Sequence, residues 1–332
     1  MTTAPAAVPP AKSGAAASTR TKLDLQEYAL FGVVVLLLIV GWIWQGEAFM
    51  SKDNMFNVLR QGSIVGVLAI GMTFVIATAG IDLSVGSMVA ATAIAGGWLM
   101  QHVGVLDSNP TLWFMLGSIA LGVLLGAVNG AAVSYGKVVP FIATLAMLLI
   151  ARGLALWISD KTPISLFDLK MLRWFGTGEV LTIPSSIIVF AGVAAFGWVL
   201  LNRTPYGRYV VAVGGNPEAA RIAGVKTKRI LFSVYVLSGI CAGIAAILLC
   251  GRLASASPVA GNLYELDAIA AVVIGGTSLA GGRATIGGTV LGVITFALVF
   301  NLLTLANLAV EIQQITKGGI ILAAVLLQRR SN

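Results

Sequence analysis

Charge is scarce in this chain. Asp, Glu, Lys and Arg make up 10% of its 332 residues, against roughly 25% in a soluble domain. That shortage excludes a water-soluble enzyme and a disordered chain. Histidine is scarcer: His102 stands alone, which excludes a multi-histidine metal cluster. The two cysteines, Cys241 and Cys250, share one apolar run. On a helix they lie about 13 Å apart along the axis, too far for a bridge, so a disulfide scaffold is excluded too. A phosphate-binding loop, G-x-x-x-x-G-K-[ST], is missing as well. Gly136-Lys137 comes nearest, but Ala131 holds the first glycine position and Val138 stands where the Mg²⁺-binding hydroxyl belongs. No nucleotide site is visible. Nor is a Ser-His-Asp set, since His102 reads as a solvated residue of a loop at 101–110.

What the chain has instead is apolar surface. Hydrophobic residues reach 58% and the mean hydropathy is +0.95, so lipid is the main solvent and the fold class is an all-α polytopic membrane protein. Spans of roughly 17–25 apolar residues are predicted at about 28–44, 62–80, 84–100, 111–134, 140–158, 184–201, 230–250, 267–280, 284–303 and 312–327. That makes about ten, some short or broken by glycine (Gly86, Gly96, Gly97, Gly275, Gly276, Gly281, Gly282). Glycine there either breaks helices around a polar cavity or lets helices pack closely. For Gly122, Gly126 and Gly130, spaced by four on one face, packing is the better reading. The segment 1–22 is rich in Ala, Pro, Ser and Thr and is expected to be a disordered tail; 23–332 is expected to form one transmembrane domain. Tyr28–Trp44 reads as an uncleaved first helix anchored by Trp42 and Trp44 rather than a signal peptide.

The net charge of +8 reads as loop bias, not as a nucleic-acid surface. With a cytoplasmic N-terminus, the inner segments hold Lys12, Arg20, Lys22, Lys137, Arg203, Arg208, Arg221, Lys226, Lys228, Arg229, Arg283, Arg329 and Arg330. The outer ones hold Lys52, Arg60, Lys161, Lys170, Arg173 and Arg252. The asymmetry, about two to one, follows the positive-inside rule and puts both termini in the cytoplasm. Arg152 and Lys317 fall within or at the edge of spans. The outer loop 159–183 is either a docking surface or a solvated connector.

The inner loop 202–229 carries six cations against one acid, Glu218. Within it a short helix is spelled out: Asn216 as N-cap, Pro217 at the first position, Glu218 at the positive end of the dipole, Arg221 further on, and Gly224 as the left-handed stop. Two turns are unstable alone in water, so the helix must be held by what it packs against. On physics alone that is either a groove in a cytoplasmic protein or the anionic inner leaflet.

Four motifs carry a resemblance. They are Ala79-Gly80-Ile81-Asp82-Leu83-Ser84-Val85-Gly86-Ser87; Pro140-Phe141-Ile142-Ala143-Thr144-Leu145; Gly207-Arg208-Tyr209 with Gly214-Gly215-Asn216-Pro217; and the run Tyr264 to Thr277, YELDAIAAVVIGGT. In this order and spacing, from about residue 25 to the C-terminus, the chain resembles the ribose-type permease subunits of ATP-binding-cassette (ABC) importers. The resemblance implies a permease of the bacterial inner membrane that works as a homodimer. Its implied partners are a cytoplasmic ABC ATPase, which binds the ATP and Mg²⁺, and a periplasmic sugar-binding protein. This chain itself would hold no cofactor, metal or catalytic residue. Asn216–Gly224 would be the coupling helix seated in the ATPase, with Arg208 and Arg221 among the cations around it. The solute would be a monosaccharide, a pentose such as ribose first among them.

Polar residues at membrane depth are costly and usually functional. Asp82, Glu265 and Asp267 either cap helices and form structural networks or line and gate a passage. Arg152 either bridges to another helix or lines the passage. Asn129, Thr144, Ser84, Thr73, Thr78 and Ser87 are candidates for weak hydrogen bonds to a sugar, although Ser and Thr often bond their own helix instead. Asp82 and Asp267, each before a small-residue helix, suggest an inverted repeat. Rival readings are an ion-coupled secondary transporter with Asp82, Arg152, Glu265 and Asp267 as relay, a branched-chain amino-acid ABC permease, and a scaffolding membrane protein using 159–183.

Overall fold

The structure is a computed structural model that describes residues 15–103 and 109–331, with side chains from Tyr28 to Leu326. Its helices begin with α1 (Ala15–Gln45), the short α2 (Glu47–Met50), α3 (Lys52–Ala77), α4 (Val85–His102), α5 (Pro110–Ser134) and α6 (Pro140–Ile158). A connecting region follows with α7 (Lys170–Thr177), and then α8 (Ser185–Asn202), α9 (Pro205–Gly215), α10 (Pro217–Ile222) and α11 (Thr227–Leu253). The chain finishes with α12 (Tyr264–Ile274), α13 (Ile286–Leu305) and α14 (Val310–Ser331). Two antiparallel ribbons tie the connections: β1 (Ile164–Ser165) with β4 (Ser255–Ala256), and β2 (Glu179–Val180) with β3 (Ile183–Pro184).

Helix starts follow local chemistry. Asn109 before Pro110, Thr204 before Pro205 and Asn216 before Pro217 each accept a backbone N–H of the first turn. Proline next to the cap costs nothing there, because its missing N–H would be an orphan anyway.

Among the described residues, seven helices are long and apolar enough to cross a membrane: α1 from Tyr28, α3, α5, α6, α8, α11 and α13. The other three expected spans fall on α4, α12 and α14. α4 is rich in Gly, Ser and Thr, but most of it is buried among other helices, so it need not match lipid. The span predicted at 267–280 is not a crossing helix. α12 has 11 residues, about 16 Å, and then turns through Gly275–Thr285 into α13. The span predicted at 62–80 belongs to a longer helix that starts at Lys52. Residues 205–215, expected as loop, form α9. α1 takes up the last part of the expected tail 1–22, and residues 1–14 lie outside the described residues.

α3 is buried continuously from Gly62 to Ala77 and, with α4, α11 and α12, makes the centre of the bundle. The glycine stripe of α5 meets α11 backbone to backbone: a Cβ at Gly122, Gly126 or Gly130 would run into the carbonyl oxygens of Gly239, Tyr235 or Phe232. Close packing explains that stripe. Cys241 and Cys250 are buried, unpaired thiols on α11. Outward faces of α1, α6 and α14 expose Trp42, Leu149, Trp157, Ile315 and Leu322, a surface suited to lipid or to another apolar helix.

Candidate functional site

Three places gather the polar groups. At one end of the bundle stands α10. Asn216 accepts the N–H groups of Glu218 (3.1 Å) and Ala219 (2.9 Å), and Glu218 pairs with Arg221 at 2.6 Å. Arg221 holds the exposed Glu218 carboxyl below its usual range, first through the hydrogen bond and then through charge. Gly224 takes φ +87°, where its N–H and that of Val225 close the helix on Arg221 and Ala220. Just before the cap, Gly214 lies against the C-terminus of α3 and the turn after α12. A Cβ there would overlap the carbonyl oxygen of Ala77 and crowd Gly282, whose N–H donates to that same oxygen at 3.0 Å. The exposed helix is thus seated on the bundle centre. Arg208, on α9, is exposed nearby in sequence.

The second place is a closed network. Asp82, fully buried, lies in the extended segment between α3 and α4. Its carboxylate accepts the Ser84 N–H (3.0 Å), the Ser84 hydroxyl and the Ser238 hydroxyl (2.9 Å). Asn129 of α5 donates to Ser84 Oγ at 2.9 Å. Asp82, Ser84 and Asn129, candidates either for a structural network or for a passage, tie α4, α5 and α11 together. Thr144 of α6 donates to Pro140 O (2.9 Å) and reaches Ile81 O at 3.3 Å. Thr73 bonds Ala69 O and Thr289, Thr78 bonds Val75 O, and both are buried; Ser87 is buried in α4.

The third place is where the N-termini of α4 and α12 meet. Gly86 in the first turn of α4 leaves just enough room for the Glu265 carboxylate and the Gly261 carbonyl. Arg152 of α6 donates to the carbonyls of Pro258 (2.8 Å) and Ala260 (2.9 Å), which fixes the segment leading into α12. Among the described residues it forms no salt bridge to another helix. Two carboxylates, Glu265 and Asp267, sit in the first turn of α12, where the dipole favours them. Asp267 pairs with Lys317 of α14 at 2.7 Å, and Lys317 Nζ also lies 5.0 Å from the Phe300 ring centre. Asp82, Glu265, Asp267 and Arg152 thus form no single relay: Asp82 belongs to the network, Glu265 and Arg152 to the α12 approach, Asp267 to Lys317. Among the described residues no three His, Cys, Asp or Glu come together as a metal would need.

Beside Asp267 lies a cavity of about 350 Å³ between α3, α13 and α14. Asn57, Gln61, Asn262, Gln314, Lys317 and Phe296 are on its wall. Of the expected site residues Asp267 lines it. The amides were not anticipated because they lie at or outside the edges of apolar spans. The signal was present as helical spacing: Asn57 and Gln61, or Gln313 and Lys317, stand four apart.

At the far end from α10, the region predicted as the loop 159–183 is folded on the bundle. α7 packs on the end of α11, where Gly176 meets Gly251 and Arg252, and Arg60 of α3 bridges to Glu179 at 2.9 Å. His102 stacks on Trp98, with ring centres 4.5 Å apart.

Over residues 54–325 the chain matches the family described as branched-chain amino acid transport system / permease component. It is 39% identical over 310 residues to the ribose import permease protein of Escherichia coli, covering 92% of this chain and 94% of that one. To the ribose import permease protein of Bacillus subtilis it is 43% identical over 303 residues, 91% of this chain and 92% of the relative. To the galactose/methyl galactoside import permease protein of Salmonella typhimurium it is 38% identical over 309 residues, 89% and 92%.

Proposed function

The chain belongs to the ribose-type family of ABC importer permeases, and on that premise we propose that it carries a monosaccharide, ribose-like pentoses first, across the inner membrane. A separate ATPase supplies the work. One observation carries this reading: a capped six-residue helix stands exposed while its approach, Gly214, is wedged between Ala77 and Gly282. Helices this short are not built to stand free. A push on α10 from a cytoplasmic ATPase holding ATP and Mg²⁺ reaches the end of α3 and the turn behind α12 without any flexible link. Asn216, Pro217, Glu218, Arg221 and Gly224 form the contact, and Arg208 adds charge beside it.

Both termini lie in the cytoplasm, as the charge bias requires. The α7 end faces a periplasmic sugar-binding protein. Two copies of the chain form the passage, with the apolar faces of α6 and α14 available for the pairing. The sugar reading is preferred to a branched-chain amino acid because of the ribose and galactoside permeases at 38–43% identity over about nine-tenths of the chain.

The test is uptake of D-ribose into vesicles holding the permease, its ATPase and its binding protein. Expected is uptake that requires ATP and all three components, with no uptake of leucine. Ribose accumulation driven by a proton gradient, with no ATPase present, would overturn the reading in favour of an ion-coupled carrier.

A further inference from the structure

Most buried polar side chains of this protein are spent on one another or on backbone. The cavity beside Asp267 gathers a different set, exposed and unbonded. Among the described residues, the side-chain amides of Asn57, Gln61, Asn262 and Gln314 make no hydrogen bond to protein, yet all four line this one cavity of about 350 Å³. They come from three separate places, α3, the approach to α12, and α14, so their convergence is a property of the fold and not of one helix face. All four are exposed, so their donors and acceptors stand open to whatever enters the cavity.

The charges on the wall cancel, since Asp267 holds Lys317 at 2.7 Å. A cation or an anion would have to compete with that pair, whereas a neutral solute would not. Phe296, tilted against Phe300 with ring centres 4.6 Å apart, offers a flat apolar face, and amides offer both donors and acceptors. A neutral polyhydroxylated molecule has the matching chemistry: hydroxyls that both give and accept, and C–H faces that lie on a ring. The volume is at the small end of the range for small-molecule sites, which fits one monosaccharide.

We infer that this cavity is a transient sugar subsite within the permease itself, formed by Asn57, Gln61, Asn262 and Gln314 around the Asp267–Lys317 pair. The inference rests on the importer reading above. A weak site of this kind holds the solute between its release by the binding protein and its passage. Uncharged amides suit that task, because tight binding would block release.

The experiment is D-ribose uptake by the complete reconstituted complex, scored as sugar moved per ATP hydrolysed. Gln61→Leu removes hydrogen bonds and Gln61→Trp fills the space. The side chain is exposed, so both leave the helix packing alone. The ratio is expected to fall about tenfold in Gln61→Leu, the effect of losing one well-placed hydrogen bond, and further in Gln61→Trp. Gln61→Asn should recover most of it, which a loss of fold would not. Gln314→Leu, on α14, repeats the measurement without touching α3. Ratios unchanged in Gln61→Leu, Gln61→Trp and Gln314→Leu would mean that the amides serve water only, and would overturn the subsite while the importer reading stands. Absence of ATP-driven uptake in the unmodified complex would overturn the importer reading first.

Discussion

Two carboxylates that look alike in sequence have opposite surroundings. Asp82 and Asp267 each follow an aliphatic residue near the start of a small-residue helix. Around Asp82 the network from Ser84, Ser238 and Asn129 is closed. Around Asp267 one charge partner, Lys317, stands beside a set of exposed amides that make no hydrogen bond to protein among the described residues. The difference separates two uses of polarity inside a membrane. A saturated cluster holds helices together, and an unsaturated one leaves its hydrogen-bonding capacity to a solute. The N-termini of α4 and α12 meet beside Glu265. The same kind of helix start therefore serves structure on one side and a cavity on the other.

The sharpest way to break this contrast is Asp82→Ala. It leaves Ser84 and Ser238 hydroxyls and one backbone N–H without their acceptor in a fully buried site. Single hydrogen bonds in membrane proteins are worth about 0.6 kcal/mol on average and up to about 1.7. Three lost together, plus the unsatisfied donors, should cost about 3 kcal/mol. Expected is a lower melting temperature of the purified protein and poor recovery of complex. A variant as stable as the unmodified protein, with altered sugar specificity instead, would assign Asp82 to the passage and erase the distinction.

Lys317→Met should act less on stability and more on transport. The methionine keeps the apolar contact with Phe296 and Phe300 but leaves Asp267 without its cation. Lys317 is partly exposed, at 21% of its side chain, so solvent screening limits the cost to about 1 kcal/mol. The double variant Asp267→Asn/Lys317→Met should recover that stability, because no unpaired charge remains. Melting temperatures of the two singles and the double give the coupling directly. Additive effects would show that the pair is incidental to the cavity wall.

How far this was readable from sequence depends on how local each feature is. The α10 helix was legible residue by residue, since cap, proline, acid and left-handed glycine stand consecutively from Asn216 to Gly224. So was the packing role of Gly122, Gly126 and Gly130, because their spacing alone makes a face. The partners of Arg152 were not legible. They are two carbonyls, Pro258 and Ala260, more than a hundred residues away, and carbonyls carry no sequence signature. Ser238 escaped for a similar reason: one serine in a long apolar helix looks like any other until α11 is laid beside the α3–α4 segment. α12 was overestimated as a span because hydropathy counts the apolar residues of Val272–Ile274 and the glycines after them without asking where the chain turns.

The smallest expected effect concerns the exposed pair on α10, which serves as the control for both buried clusters. Glu218 and Arg221 are exposed to solvent, and the shift in Glu218 is downward. A carboxyl held low in the folded state contributes stability that is present above its unfolded pKa and is lost as pH falls through the folded one. Near neutral pH the contribution is complete and, being solvent-screened, small. Glu218→Gln keeps the helix and its Asn216 cap, so melting temperature at neutral pH should barely move, and the acid limb of the stability curve should flatten slightly. Binding of the ATPase should change by about twofold or less in 150 mM salt, and somewhat more at low salt, because Arg221 loses its intramolecular partner. A large loss of melting temperature at neutral pH would mean that α10 is held by its own ion pair and not by Gly214 against the bundle. The line from the exposed helix to Ala77 would then have to be redrawn.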